Sequence, residues 1–260
     1  MPSTVTPTSV NKKLKMSKQY TLYDVPVSNN GARIRSIIYK KGLEDHFAIK
    51  SPAEVGGLSS EKFKSLNPYC KMPVLEIHDQ DVDLALPESQ VIESYILDKF
   101  HDVGPTLIPD NAEQRSIATL IVRIHDLYMA SVQGCLYKPM ESAEDRAAQV
   151  AQISRQMDII EHYCIGPFLA GAEMTYADTA IMPTFVFCNY ILPRYFGWPT
   201  IFENRPKLEV WWNLMLQDPV TCRVMGEVES GLESWSKSNR WQEKGILKDV
   251  ADSSYSWYPC

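Results

Sequence analysis

The sequence predicts a chain of two parts, an α/β half of alternating strands and helices followed by an all-α half. Three observations predict it. Short apolar segments of strand character recur between residues 19 and 86, with helix-like segments among them. A stretch containing glycine and two prolines, His101 to Asn111 (HDVGPTLIPDN), has the composition of a boundary. Beyond it the apolar residues keep helical spacing over long runs. The expected layout is a leader over 1–18, an α/β domain over 19–101, a linker over 102–112, a helical domain over 113–240 and a tail over 241–260.

The chain has 260 residues, room for two modest domains with ample core. Its net charge of −6 and pI near 5.4 argue against nucleic acid as the main partner, because no large positive field draws phosphates. No apolar run approaches the length of a membrane span, and the N-terminus shows no secretory apolar core. The six cysteines form no C-x-x-C pair and have no zinc-site spacing with the five dispersed histidines. They read as scattered thiols in a reducing compartment, and no metal is expected.

Residues 1–18 are rich in Ser, Thr, Pro and Lys, lack acids, and read as a disordered leader. Their basic, acid-poor balance is that of an organelle-import segment, but without arginine. The expected location is therefore cytoplasmic, with organelle import as the alternative. Gln19 to Val25 (QYTLYDV) alternates as a first strand should, with Tyr20 and Tyr23 inside the strand pattern. A loop from Pro26 to Gly31 leads to a helix from Ala32 to Lys41, with Ile34, Ile37 and Ile38 on one face and Gly42 closing it. Phe47-Ala48-Ile49 reads as the next strand, and a polar excursion runs from Lys50 to Lys64.

Leu66 to Leu97 (LNPYCKMPVLEIHDQDVDLALPESQVIESYIL) is the stretch on which the first domain turns. Pro73 opens a strand, His78 to Asp81 make a turn, Val82 to Leu86 form a second strand, and Pro87-Glu88-Ser89 opens a helix. A cis Met72-Pro73 bond would leave the backbone groups of Met72 turned outward, able to take an extended peptide as one more strand. A helix start with a free hydroxyl and free N–H groups suits a carboxylate, and a neighbouring glutamate suits an ammonium. Glu88-Ser89 together suit the amino-acid end of a ligand. Taken alone, the same unit also fits a solvated helix start in many folds.

The paired runs LNPYCKMPVLEI and LPESQVIESYIL resemble the glutathione-binding half of the cytosolic glutathione transferases. The resemblance extends from about Tyr20 to Trp235. It implies a thioredoxin-like N-terminal domain, an all-α C-terminal domain, and glutathione lying across the first. It implies that the cysteinyl backbone of glutathione pairs with Met72 and that its γ-glutamyl end sits on Glu88 and Ser89. In the family a lysine at the edge of the site often takes the glycyl carboxylate, for which Lys50 and Lys71 are the candidates. The run Ser28-Asn29-Asn30-Gly31-Ala32-Arg33-Ile34-Arg35 is similar to the family's Ser/Cys-x-x-x-x-Arg-x-Arg element, with the spacing of the tau, zeta and omega classes. The marks of tau and zeta conflict elsewhere, so no subclass is assigned.

By that resemblance Ser28 is the catalytic residue; by residue type alone it is a loop or N-cap serine. A serine is too weak an acid to act as a base on a thiol, but it can donate a hydrogen bond to a thiolate. Lowering a free thiol by about two units requires about 2.7 kcal/mol, within reach of one charge-assisted bond plus a helix end. Serine in place of cysteine disfavours mixed-disulfide chemistry. The expected reaction is addition of the glutathione thiolate to a small hydrophobic electrophile. A glutathione-dependent isomerase, and a non-catalytic ligand carrier or assembly subunit on the same scaffold, are the alternatives. A homodimer through the helix from Glu88 to Phe100 is implied by the family.

In the second half, Glu113 to Gln133 reads as one long helix, with Ile117, Leu120, Ile121, Ile124, Leu127 and Tyr128 on its apolar side. Tyr128 and Met129 are the residues expected to line the second-substrate pocket. Asp145 to Cys164 reads as a second helix. Thr175 and Asp178 have the spacing of a reciprocal helix cap and resemble the family's buried folding element, so Asp178 is expected to be structural. Pro183 should kink the helix that follows. Pro206 to Met215 and Pro219 onward read as the closing helices. The aromatic tail (Tyr255, Trp257, Tyr258) either folds back over the second-substrate pocket or binds a partner.

Overall fold

Four short strands form one mixed sheet in a computed structural model of the chain, which describes residues 18–79 and 82–258. The leader except Lys18, Gln80 and Asp81 of the expected turn, and Cys260 lie outside the described residues. Strand β1 (Tyr20–Tyr23) runs parallel to β2 (Phe47–Lys50) and antiparallel to β3 (Val74–Asp79). β3 pairs antiparallel with β4 (Val82–Pro87), giving the order β2-β1-β3-β4.

The strand alternation predicts the layering. Tyr20 and Leu22 of β1, with Leu75 and Ile77 of β3, face the main core. Tyr23 and Val74 face the other side, where Phe63 of the short helix α2 (Glu61–Leu66) covers them. On the main face lie α1 (Asn29–Lys40) and α3 (Ser89–Lys99), which contribute Ile34, Ile37, Ile38, Ile92 and Ile96, all fully buried. The polar excursion after β2 folds as a single 3-10 turn (Pro52–Val55) with a capping box on Ser51 and Glu54, then α2.

Helix α1 is buried on nearly every side because the helical domain packs on its outer face. That domain holds α4 (Ala112–Ile124), α5 (Ala143–Tyr163), α6 (Tyr176–Tyr195), α7 (Pro206–Met215) and α8 (Pro219–Lys237). α6 is its central helix. Thr175 and Asp178 cap it reciprocally, and the helix continues through Pro183 and Pro193. Asp178 is fully buried and accepts from Leu169 N, Thr175 N, Thr175 Oγ1 and Trp211 Nε1, as a structural aspartate should.

Two expectations are corrected. The helix expected over Glu113–Gln133 ends at Ile124; a π-helical turn (His125–Met129) and a 3-10 turn (Gln133–Leu136) follow. The buried face runs through Ala118, Ile121, Val122, His125 and Met129 at ordinary helical spacing, so Leu127 and Tyr128 lie off it and are exposed, while Met129 is fully buried. A buried Met129 cannot line an open second-substrate pocket, so that assignment is withdrawn.

The tail, for its part, lies on the helical domain. Helices α9 (Arg240–Glu243) and α10 (Ile246–Val250) bring Trp241 onto Tyr195, with ring centroids 4.4 Å apart, and its indole donates to Leu136 O. Arg146 Nε bonds Asp249 at 2.8 Å, and Trp198 Nε1 donates to Trp257 O at 2.6 Å.

Candidate active site at one end of the sheet

The sheet register aligns Lys50, Tyr23, Val74 and Pro87 as one row across all four strands. Each sequence-predicted ligand position lies within a few residues of this row. Ser28 follows β1, Met72 precedes β3, Glu88 and Ser89 follow β4, and Lys50 ends β2. At about 4.8 Å per strand the row is roughly 14 Å long, and an extended tripeptide spans about 10 Å.

Met72 is half-buried, the Met72-Pro73 bond is cis, and the backbone of Met72 makes no backbone hydrogen bond among the described residues. Those groups are open to a peptide. Glu88 is exposed and has φ 69° and ψ 117°, a region that costs a non-glycine residue about 1–3 kcal/mol. It stands at the N-cap of α3 without a side-chain cap bond, so the first N–H groups of α3, starting at Ser89, are left for another acceptor. Lys50 and Lys71 are both exposed, and the carbonyl of Lys71 accepts from Asn67 Nδ2 at 2.7 Å.

Ser28 caps α1. Its hydroxyl oxygen accepts from Gly31 N at 3.1 Å, which leaves its own hydrogen to donate elsewhere. The loop before it is clamped. Arg35 donates to Val25 O at 3.0 Å and Pro26 O at 2.7 Å, and pairs with Asp24 and with Glu227 of α8. Val27 packs so closely on Gly231 of α8 that a Cβ there would fall 2.4 Å from its own. Asn29 donates to Gln133 Oε1 at 2.6 Å and Thr184 Oγ1 at 3.1 Å, tying the loop to the helical domain.

A second buried network lies behind. His125 Nε2 meets Thr184 Oγ1 at 2.7 Å and His125 Nδ1 meets Asp126 Oδ1 at 2.7 Å. A proton on Nδ1, given to the carboxylate, leaves Nε2 to accept from the threonine. Arg33 then joins Asp126 of the helical domain to Glu93 of α3. Burial pushes the Asp126 carboxyl up, but the His125 hydrogen bond and the Arg33 charge more than offset it and bring it to about 2.

Sequence reasoning missed Asp24 and Gly31. The Asp24 side chain is almost completely buried, and its carboxylate lies flat against the α-carbon of Gly31; a Cβ on Gly31 would fall 1.7 Å from Oδ1. Burial pushes the Asp24 carboxyl up to about 6, against the pull of Arg35, the Val25 amide and the Ser28 hydroxyl. Oδ1 itself has no hydrogen-bond partner among the described residues. The available signal was a glycine three residues past an N-cap serine, a costly place for it unless something occupies the Cβ position. Of the expected second-substrate pair, only Tyr128 reaches solvent, 52% exposed.

Comparison with known proteins agrees with this arrangement. A family model described as "Glutathione S-transferase, N-terminal domain" matches residues 22–106, and one described as "Glutathione S-transferase, C-terminal domain" matches residues 117–224. Glutathione S-transferase 3 of Zea mays is 29% identical over 218 residues, which cover 80% of this chain and 93% of that protein. Glutathione S-transferase U18 of Arabidopsis thaliana is 27% identical over 214 residues, covering 75% and 85%. Among solved structures, Ure2p in complex with glutathione matches with a TM-score of 0.66 at 20% identity, over 80% of this chain and 98% of that one. Glutathione transferase URE2P6 from Phanerochaete chrysosporium, in complex with oxidized glutathione, matches with a TM-score of 0.69 at 20% identity, over 84% and 99%. These two likenesses show the fold, a thioredoxin-like domain followed by a helical one. With both of its domains matched in order, the chain belongs to the cytosolic glutathione transferase superfamily of enzymes.

Proposed function

We propose that the protein transfers glutathione to a small hydrophobic electrophile, with Ser28 donating a hydrogen bond to the glutathione thiolate. The observation that carries this reading is the single row Lys50–Tyr23–Val74–Pro87, which sets Ser28, Met72 and Glu88-Ser89 at one end of the sheet. Glutathione is the co-substrate. Its cysteinyl backbone pairs with Met72, its γ-glutamyl end takes Glu88 and Ser89, and its glycyl carboxylate is met by Lys50 or Lys71. Tyr128, exposed past the end of α4, is the candidate from the helical domain for contact with the electrophile. Loss of the glutathione hydration shell and fixed donors at the sulfur favour attack.

The working form in this reading is a homodimer through α3, supported by the exposed apolar side chains of Val91 on α3 and Leu84 on β4. A cytoplasmic location fits the free thiols of Cys70, Cys135, Cys164, Cys188 and Cys222.

Calorimetric titration of glutathione, together with the thiolate absorbance of the bound ligand against pH, tests the chemistry. Wild type should bind and lower the thiol pKa by about two units. Ser28→Ala should bind but leave the thiol near its free value. Binding without a lowered thiol pKa in wild type overturns the role of Ser28, and absence of binding overturns the site.

A further inference from the structure

A serine that stabilises a thiolate does not say where the thiol proton goes. We infer that Asp24 receives it through Ser28, so that ionisation of bound glutathione is an internal proton transfer rather than a release to solvent. This rests on the role of Ser28 proposed for the transfer reaction.

The geometry supplies the path. Ser28 and Asp24 both abut Gly31, one through the 3.1 Å bond from its amide, the other across its α-carbon. Oδ2 of Asp24 is held by Arg35, while Oδ1 is buried and has no hydrogen-bond donor among the described residues. Serine oxygen has two lone pairs and one hydrogen. One lone pair takes the Gly31 amide, the second is open to the thiol S–H, and the hydrogen is free for Oδ1.

The step balances. The thiol proton passes to Ser28 Oγ as the Ser28 proton passes to Oδ1. The S–H bond breaks, the Ser28 O–H bond is exchanged, and an O–H bond forms on Asp24. The products are a thiolate that accepts a hydrogen bond from Ser28 and a neutral Asp24. No oxidant or reductant is involved. The other groups that face Asp24 are Arg35 of α1, Glu227 of α8 and the Val25 amide. A folded-state value of about 6 leaves Asp24 mostly ionised and able to accept at pH 7, and the thiolate charge formed beside it then raises that value, so the proton stays on Asp24 rather than passing to solvent. Asp24 acts on the sulfur only through Ser28 and is a positioning residue in that sense.

Proton counting decides it. Glutathione is titrated into wild type and Asp24→Asn at pH 7 in two buffers of different ionisation enthalpy, with S-methylglutathione as the thiol-free control. Thiolate is read by absorbance in parallel. The expected result is a thiolate in wild type with near-zero proton release, and release of about one proton per thiolate in Asp24→Asn. Release of about one proton per thiolate in wild type overturns the inference while leaving the role of Ser28 intact. If no thiolate forms in wild type, both fall. The wild-type count stands by itself if Asp24→Asn fails to fold.

Discussion

The Arg33 guanidinium holds the Glu93 carboxylate by two parallel 2.8 Å hydrogen bonds, with side-chain exposures of 1% and 4%. Its remaining nitrogen reaches Asp126 at 3.0 and 3.1 Å, so one cation joins α1, α3 and the helical domain. Removing one partner of a buried pair strands the other charge, at a cost of about 3–5 kcal/mol. Glu93→Ala should therefore lower stability by that order in urea denaturation. Arg33→Lys should not restore the fork, because an ammonium cannot make two parallel bonds in a plane. Equal stability of Arg33→Lys and wild type would show that the fork contributes charge alone.

Asp24 and Gly31 should be coupled in stability. In a helix, Gly→Ala ordinarily stabilises by about 0.5–1 kcal/mol. Here the new methyl meets Oδ1 at 1.7 Å, and Arg35 holds the carboxylate in place. Gly31→Ala should destabilise by roughly 1–3 kcal/mol, as overpacking does. In the Asp24→Ala background, which itself breaks the buried pair with Arg35, Gly31→Ala should lose most of that penalty. A double-mutant cycle by chemical denaturation measures it, and additive effects would mean the carboxylate swings aside freely.

What the sequence disclosed and what it hid follow one physical line. Met72-Pro73, Glu88-Ser89 and Ser28 were legible because each belongs to a local element, a strand mouth or a helix start, where a few neighbouring residues dictate the geometry. The Thr175–Asp178 cap was legible for the same reason. The Arg33–Glu93–Asp126 junction was not, since its members are 60 and 93 residues apart and only the fold brings them together. The end of α4 was misread because Leu127 and Tyr128 keep helical spacing in the sequence, and a single inserted residue in a π-turn leaves no mark on that pattern. Gly31 read as loop punctuation, whereas it sits in the first turn of α1 to make room for Asp24.

The pH dependence of stability should carry opposite contributions from Asp24 and Asp126. The fold raises Asp24 from 3.8 to about 6, so folded protein binds that proton more tightly. This stabilisation is complete below pH 3.8 and is lost as pH rises through 6. The fold lowers Asp126 from 3.8 to about 2, so its contribution is present above 3.8 and is lost as pH falls through 2. Asp24→Asn removes only the first. Its stability relative to wild type should climb by roughly 2.4 kcal/mol between pH 4 and pH 7, because each tenfold change in proton affinity is worth about 1.4 kcal/mol and part of the effect is already gone at pH 4. Urea midpoints across that range check this, and parallel curves for the two proteins would sink it.

Asp178 should be the least replaceable acid of the helical domain. Four donors converge on its two oxygens: Leu169 N at 2.9 Å, Thr175 N at 2.6 Å, Thr175 Oγ1 at 2.9 Å and Trp211 Nε1 at 2.9 Å. Burial pushes its carboxyl up against all four. Asparagine keeps the shape but replaces one acceptor oxygen with an NH₂ group aimed at donors. At about 1–3 kcal/mol for each buried group left unpaired, Asp178→Asn should cost roughly 2–5 kcal/mol. Trp211→Phe leaves three of the four bonds and should cost less, about 1–2 kcal/mol for the lost bond to a buried carboxyl together with a small change in packing. The ordering of the two variants in urea denaturation is the critical result. If Trp211→Phe is the more damaging, the indole packing rather than the carboxylate organises the start of α6.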